Sequence, residues 1–252
     1  WGRRAYEAAH IPGAVYADLD RDLSGPKTGA NGRHPLPAPE AFRECLSGMG
    51  VGPGVQVVAY DQDSGMFASR LWWMLRWMGH DAVAVLDGGF TGWVDDHRLT
   101  SSGDERRARR AFSGHPRPDM VASVEDVAAR VGRADACLLD ARSPERYRGD
   151  VEPIDRVPGH IPGALNRPFR ENLGDDGTFR SANDLRQAYG AALGGVPPER
   201  AICYCGSGVT ACHNLLALEH AGLRGARLYP GSWSEWSSDW SRPVASDGRR
   251  DN

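Results

Sequence analysis

The chain has 252 residues, 40% hydrophobic and 25% charged, enough for one large domain or two of ordinary size. A formal net charge of −3 excludes the global basic field on which non-specific nucleic-acid binding depends. The longest apolar run, residues 71–78, is preceded by Arg70 and interrupted by Arg76, and it falls short of a membrane span.

In chain order, the first landmark is His10-Ile11-Pro12-Gly13-Ala14. It is followed by the strand-like run Val57-Val58-Ala59-Tyr60-Asp61 and then by Gly88-Gly89-Phe90-Thr91-Gly92-Trp93. A polar, charged stretch over 101–110 leads into His115-Pro116-Arg117-Pro118 and reads as a linker by composition. Its basic run is read as a solvated interdomain face in preference to a nucleic-acid patch. Beyond it, Ser123 and Asp126 make a capping-box-like start for a helix through Val131, and Cys137–Asp140 is a strand. His160-Ile161-Pro162-Gly163-Ala164 repeats the first landmark at an offset of 150. Ser181 with Asp184 opens a helix towards Leu193, and 201–204 reads as a buried strand. A helix over 208–222 follows, with Val209, Cys212, Leu215, Leu216 and Leu218 at helical spacing, then a strand over 226–229.

The run 201–205 repeats 57–61 at an offset of 144, and Gly231-Ser232-Trp233-Ser234-Glu235-Trp236 repeats 88–93 at an offset of 143. Three landmarks in one order indicate a duplicated domain; the period is far too long for a solenoid. Alternating strands and helices predict an α/β fold, each copy a mainly parallel sheet with helices on both faces. The expected organisation is a first domain over 1–102, a linker over 103–118 and a second domain over 119–245. The first copy is expected to begin at its His-Ile-Pro-Gly segment, without the earlier helix and strand. The chain opens at Trp1 with no initiator Met, so a preceding segment, with any targeting signal it held, is expected.

The five cysteines are Cys45, Cys137, Cys203, Cys205 and Cys212. Odd in number and irregularly spaced, they do not read as a disulfide framework, and a reducing, cytoplasmic setting is expected. Cys203 lies within a strand and Cys212 on the apolar stripe of a helix, so both read as core. Cys205 differs: in Cys205-Gly206-Ser207-Gly208-Val209-Thr210 it stands between a buried strand and a helix, where ligands bind in open α/β sheets. Two glycines let successive N–H groups turn inwards, and the helix adds its positive end. A thiol at the mouth of such a nest is expected to have a lowered pKa and to act as a nucleophile. A soft metal on Cys203, Cys205 and Cys212 would want a fourth ligand that does not stand at zinc-like spacing, so no metal is expected.

The loop, the two His-Ile-Pro-Gly-Ala segments and the Gly-Ser-Trp-x-Glu-Trp ending resemble the tandem-domain rhodanese sulfurtransferases, over essentially the whole chain. The resemblance implies a non-catalytic first domain and a second domain carrying the cysteine, and Asp61 stands where Cys205 stands in the duplicate. Thiosulfate-preferring members carry a loop similar to Cys-Arg-Lys-Gly-Val-Thr. The neutral Gly-Ser version here is similar to that of the 3-mercaptopyruvate subgroup, and the donor would then be gripped elsewhere. The resemblance assigns that task to Arg146 and Arg156, with Gly206, Gly208, Val209 and Thr210 forming the loop that holds the sulfur. It also implies a relay in which Asp20 orients His34 and His34 polarises Ser207.

The implied reaction moves sulfur from 3-mercaptopyruvate through a Cys205 persulfide to a thiol, a thioredoxin-like protein or cyanide. It releases pyruvate and needs no metal or organic cofactor. Thiosulfate is the alternative donor. A cysteine phosphatase is a rival from another class, but such enzymes place an Arg six residues after the Cys, and position 211 is Ala. A non-catalytic regulatory module is the remaining rival, and the intact Cys205 loop speaks against it. Neither a nucleic-acid nor a membrane partner is expected.

Overall fold

The computed structural model describes residues 1–247. It divides into two compact units, one built from Trp1–Gly25, Leu36–Arg117 and Asp175–Thr178, the other from Pro26–Pro35, Pro118–Gly174 and, among the described residues, 179–247.

In the second unit a capping box starts α5 (Val124–Ala128): the Ser123 hydroxyl accepts from Asp126 N–H at 3.2 Å and the Asp126 carboxylate accepts from Ser123 N–H at 3.1 Å. This helix stops at Ala128, three residues short of Val131, because the next turns close through shorter i to i−3 bonds such as Arg130 N–H to Val127 O. The elements that follow are β3 (Cys137–Asp140), α6 (Pro144–Arg148), β4 (Leu165–Asn166) and α7 (Ala182–Leu193). After them come β5 (Ala201–Tyr204), α8 (Thr210–His220), β6 (Arg227–Leu228) and α9 (Ser232–Trp236). Among the described residues the strands form one parallel sheet in the order β4-β3-β5-β6, with Leu139 opposite Cys203 and Ile202 opposite Arg227.

Every residue of β3 and β5 is buried, as strands covered on both faces require. Side chains alternate across the sheet, so Leu138, Ile202 and Tyr204 share one face. There they pack with Val127, Tyr229, Trp233 and Trp236 from α5, α9 and the turn before it. On the other face Cys137 Sγ reaches the Ala192 carbonyl of α7 at 3.8 Å. Burying a side chain such as Ile202 contributes about 1.5–3 kcal/mol, and this two-sided core anchors the end of β5 from which the next loop departs.

The first unit contains α1 (Gly2–Ala8), α2 (Pro39–Gly48), β1 (Val57–Ala59), α3 (Ala68–Trp77), β2 (Val83–Val85) and α4 (Gly89–Asp95). β1 and β2 pair in parallel with Val57 opposite Val83. The centre is α3, whose Trp72, Trp73, Met74, Leu75 and Trp77 are all buried, so the apolar run 71–78 is a core helix.

The duplication extends to individual hydrogen bonds. Phe90 N–H donates to Asp61 O and Thr91 N–H to Gln62 O, as Trp233 N–H does to Cys205 O and Ser234 N–H to Gly206 O. Tyr6 stacks on His10 with ring centroids 4.2 Å apart, and Tyr147 stacks on His160 at 3.8 Å. In both pairs the histidine Nδ1 lies 2.8 Å from the tyrosine carbonyl oxygen. The expectation that the first copy begins at its His-Ile-Pro-Gly segment is therefore corrected in one respect: α1 precedes it and occupies the place of α6, while among the described residues no counterpart of α5 or β3 does. The two rings of each pair are four residues apart in the first copy and thirteen in the second. The difference is a loop inserted after α6, and it carries Glu152, Asp155 and Arg156.

Candidate active site

β5 ends at Tyr204 and α8 starts at Thr210, leaving residues 205–209 to make the turn. Gly208 has φ +76°, and a Cβ there would lie 2.4 Å from the Pro230 carbonyl oxygen, so both conformation and space demand glycine. Its N–H donates to Cys205 Sγ at 3.2 Å. Its carbonyl accepts the Cys212 thiol at 3.3 Å, so this buried cysteine steadies the loop as well as filling the core. Cys205 N–H donates to Ser232 Oγ at 3.1 Å, and Trp233 N–H donates to the Cys205 carbonyl at 2.9 Å. Cys205 is only 2% exposed.

Ser207, also buried, is hydrogen-bonded through Oγ to His34 Nδ1 at 2.7 Å. His34 comes from segment 26–35, which belongs to this unit although the chain on either side of it belongs to the other. Its neighbour Arg33 donates its own backbone N–H to Ser234 Oγ of α9 at 3.1 Å. Thus Cys205, Gly206, Ser207, Gly208, Val209, Thr210 and His34 are gathered in one unit. Asp20 lies in the first unit, on a turn where its N–H donates to the Asp18 carboxylate at 3.1 Å.

Arg146 is held by a fork to Glu152, with Nη2 to Oε1 at 2.6 Å and Nε to Oε2 at 3.2 Å, and reaches Asp155 Oδ2 at 3.2 Å. Behind it Arg142 is buried against Asp140, Nη2 to Oδ2 at 2.6 Å, and meets Glu152 at 3.3 Å. Burial alone would raise the Glu152 pKa, but the Arg146 hydrogen bond and the Asp155 and Ile154 N–H groups outweigh it and hold the carboxyl below its ordinary value. Burial dominates at Asp155 and raises its pKa, with the Arg33 hydrogen bond only partly offsetting it. Arg156 is exposed and has no ion-pair or hydrogen-bond partner among the described residues.

Arg33 is the residue that sequence reasoning missed. Its Nη1 is ion-paired with Asp155 Oδ1, and a Cβ on Gly206 would lie 2.8 Å from its Nη2. The same point is 3.4 Å from Arg146 Nη1, so two guanidinium groups flank the backbone next to Cys205. No local signal marks Arg33; only the course of segment 26–35 over the loop does.

The corresponding loop of the first unit is two residues longer, running from Asp61 to the start of α3 at Ala68. Its nest is occupied: the Asp61 carboxylate accepts from Gly65 N–H at 2.9 Å, Phe67 N–H at 2.7 Å and Ala68 N–H at 3.0 Å. An internal carboxylate thus takes the donors that an anion would use. Among the described residues no group of three or more His, Cys, Asp or Glu side chains is placed to hold a metal ion, and no helix is long and apolar enough to cross a membrane.

The rhodanese-like domain model matches residues 2–96 and 123–239. The chain belongs to the rhodanese family. A Pseudomonas aeruginosa relative named "Probable 3-mercaptopyruvate sulfurtransferase" is 47% identical over 247 residues, covering 97% of this chain and 87% of that one. A Mycobacterium tuberculosis relative named "Putative thiosulfate sulfurtransferase SseB" is 40% identical over 256 residues, covering 96% and 85%. The crystal structure of the 3-mercaptopyruvate sulfurtransferase SseA from Escherichia coli superposes with a TM-score of 0.77 at 34% identity, covering 92% of this chain and 86% of that one. Two rhodanese-like units on parallel sheets with helices, and relatives of this kind along nearly the whole chain, make it a sulfurtransferase.

Proposed function

We propose that this sulfurtransferase takes sulfur from 3-mercaptopyruvate onto Cys205 and passes it to a thiol, a thioredoxin-like protein or cyanide. The observation that carries the reading is Cys205 Sγ under the Gly208 N–H at the end of a buried strand, with Ser207 already hydrogen-bonded to His34. The equivalent position of the first unit holds Asp61, which cannot carry a sulfane sulfur. Catalysis is therefore assigned to residues 119–245 together with segment 26–35, and the rest of residues 1–102, with Asp61 in place of the cysteine, is read as the copy without a nucleophile.

The Cys205 thiolate attacks the sulfur of the donor, an S–S bond forms and the C–S bond breaks. The electron pair goes to carbon, giving pyruvate enolate, which takes a proton and leaves as pyruvate. Ser207, polarised by His34, supplies that proton, and Asp20 is the candidate third member of the relay. Arg146 grips the donor carboxylate, and the exposed Arg156 is the candidate second arm. The persulfide sulfur rests under the loop amides until an acceptor thiolate or cyanide removes it and restores the Cys205 thiolate. No group other than these side chains enters the steps. All five cysteines are free, which suits the reducing cytoplasm.

The test is pyruvate release from 3-mercaptopyruvate by the purified protein and by Cys205→Ser. Loss of turnover by at least about four orders of magnitude in the variant is expected for a removed nucleophile. Full turnover in Cys205→Ser would overturn the reading.

A further inference from the structure

The loop that follows Cys205 carries no charge of its own, yet a guanidinium occupies the space beside it. Arg33 Nη2 stands 2.8 Å from where a side chain on Gly206 would begin. That is the position at which a cationic loop residue would stand, so segment 26–35 returns from elsewhere in the chain the charge that glycine leaves out. The placement is fixed from both ends. The Arg33 backbone N–H is held by Ser234 Oγ at 3.1 Å and the next residue is hydrogen-bonded to Ser207.

At the head of the side chain Nη1 is ion-paired with Asp155, which is shared with Arg146. Nη2 faces the loop and has no acceptor among the described residues. The side chain is 27% exposed, so its head is reachable from solvent, unlike Arg142 at 1%. A guanidinium with one edge neutralised and the other beside the Gly206 backbone is suited to an anionic oxygen of a donor held at that loop.

We propose that Arg33 is a donor-specificity residue that sets how well thiosulfate competes with 3-mercaptopyruvate at the Cys205 site. This rests on the Cys205 reading above and adds to it the side chain that discriminates between the two donors. Thiosulfate carries two negative charges and 3-mercaptopyruvate one, so an added guanidinium favours the dianion in proportion to its charge. Cys205 thiolate attacks the outer sulfur of thiosulfate, the new S–S bond forms and the old one breaks. Sulfite departs with the electron pair, and Arg33 and Arg146 take its oxygens. Cyanide then removes the outer sulfur as thiocyanate and regenerates the thiolate, so no oxidant or reductant is consumed.

The experiment measures kcat/KM for thiosulfate and for 3-mercaptopyruvate, with cyanide as acceptor, in the wild-type protein, Arg33→Gln and Arg33→Lys. Cys205 persulfide is followed by mass spectrometry in parallel. The wild-type protein should use both donors. Arg33→Gln should lose at least about tenfold in kcat/KM for thiosulfate, mainly through KM, and less than about threefold for 3-mercaptopyruvate. Arg33→Lys, which keeps the charge, should recover part of the thiosulfate activity. Equal losses with both donors, an unchanged thiosulfate rate in Arg33→Gln, or a wild-type protein persulfidated by 3-mercaptopyruvate but not by thiosulfate would overturn the proposal. A wild-type protein persulfidated by neither donor would overturn the Cys205 reading itself.

Discussion

Substituting Gly208→Ala separates the loop's geometry from its chemistry, because a glycine of similar conformation in an open site serves as control. Gly208 at φ +76° and Gly194 at φ +57° both occupy the left-handed region, which costs an L-residue about 1–2 kcal/mol. Gly194 ends α7 with nothing within 4 Å of an added Cβ, so Gly194→Ala should show only that cost. At Gly208 the added carbon would sit 2.4 Å from the Pro230 carbonyl oxygen and 3.0 Å from its Cα, so backbone has to move. Such overpacking typically adds about 1–3 kcal/mol, giving about 2–5 kcal/mol in all. The movement also draws the N–H away from Cys205 Sγ, and loss of one such donor costs about 10²–10³-fold in rate. Urea unfolding and single-turnover sulfur transfer measure the two effects. Equal stability of the two variants, or a Gly208→Ala protein with wild-type transfer, would refute the role assigned to this turn.

Other outcomes follow from the same geometry. Ser207→Ala and His34→Asn should each lower turnover with 3-mercaptopyruvate by about 10²-fold or more while leaving thiosulfate transfer, which needs no proton, nearly unchanged; a parallel loss with both donors would contradict the relay. Burial pushes the Cys45 and Cys137 thiols up to about 11 and raises the Cys203 thiol well above its ordinary value. Brief iodoacetamide treatment at neutral pH should therefore leave these three unlabelled and modify Cys205, as peptide mapping would show. Glu152→Gln removes the carboxylate shared by Arg142 and Arg146 and should cost about 3–5 kcal/mol, since it strands buried guanidinium charge. The folded-state pKa of Glu152 is depressed, so its contribution is complete above the unfolded value and is lost as pH falls through the folded one. Wild-type stability should accordingly converge on that of Glu152→Gln only in acid, and a constant gap down to pH 2 would contradict the assignment.

Where local rules suffice, the fold was legible. β5 falls on 201–204 as read, because a short apolar run between turn residues has few alternatives, and the Ser123 and Ser181 caps stand where their acidic partners at i+3 place them. The shortened α5 and the unforeseen α1 mark the limits of such rules. The first ends through competing turns, and the second, Gly2–Ala8, opens on Gly-Arg-Arg with no capping side chain. The Cys205 loop could be picked out because its glycines and nucleophile are consecutive. Arg33 could not, since the contact with Gly206 spans most of the chain and depends on how segment 26–35 is routed. The Glu152–Asp155 loop lies in between. Its residues were visible in the sequence, but only the matched Tyr–His stacks reveal it as an insertion that brings carboxylates to Arg146.

Sulfur resting on Cys205 is read out by intact-protein and peptide mass spectrometry after 3-mercaptopyruvate treatment with no acceptor present. One added sulfur atom per chain is expected on the peptide carrying Cys205, with one pyruvate released, and both signals should vanish in Cys205→Ser. An unmodified Cys205 after pyruvate release, or the added sulfur on another cysteine, would contradict this assignment.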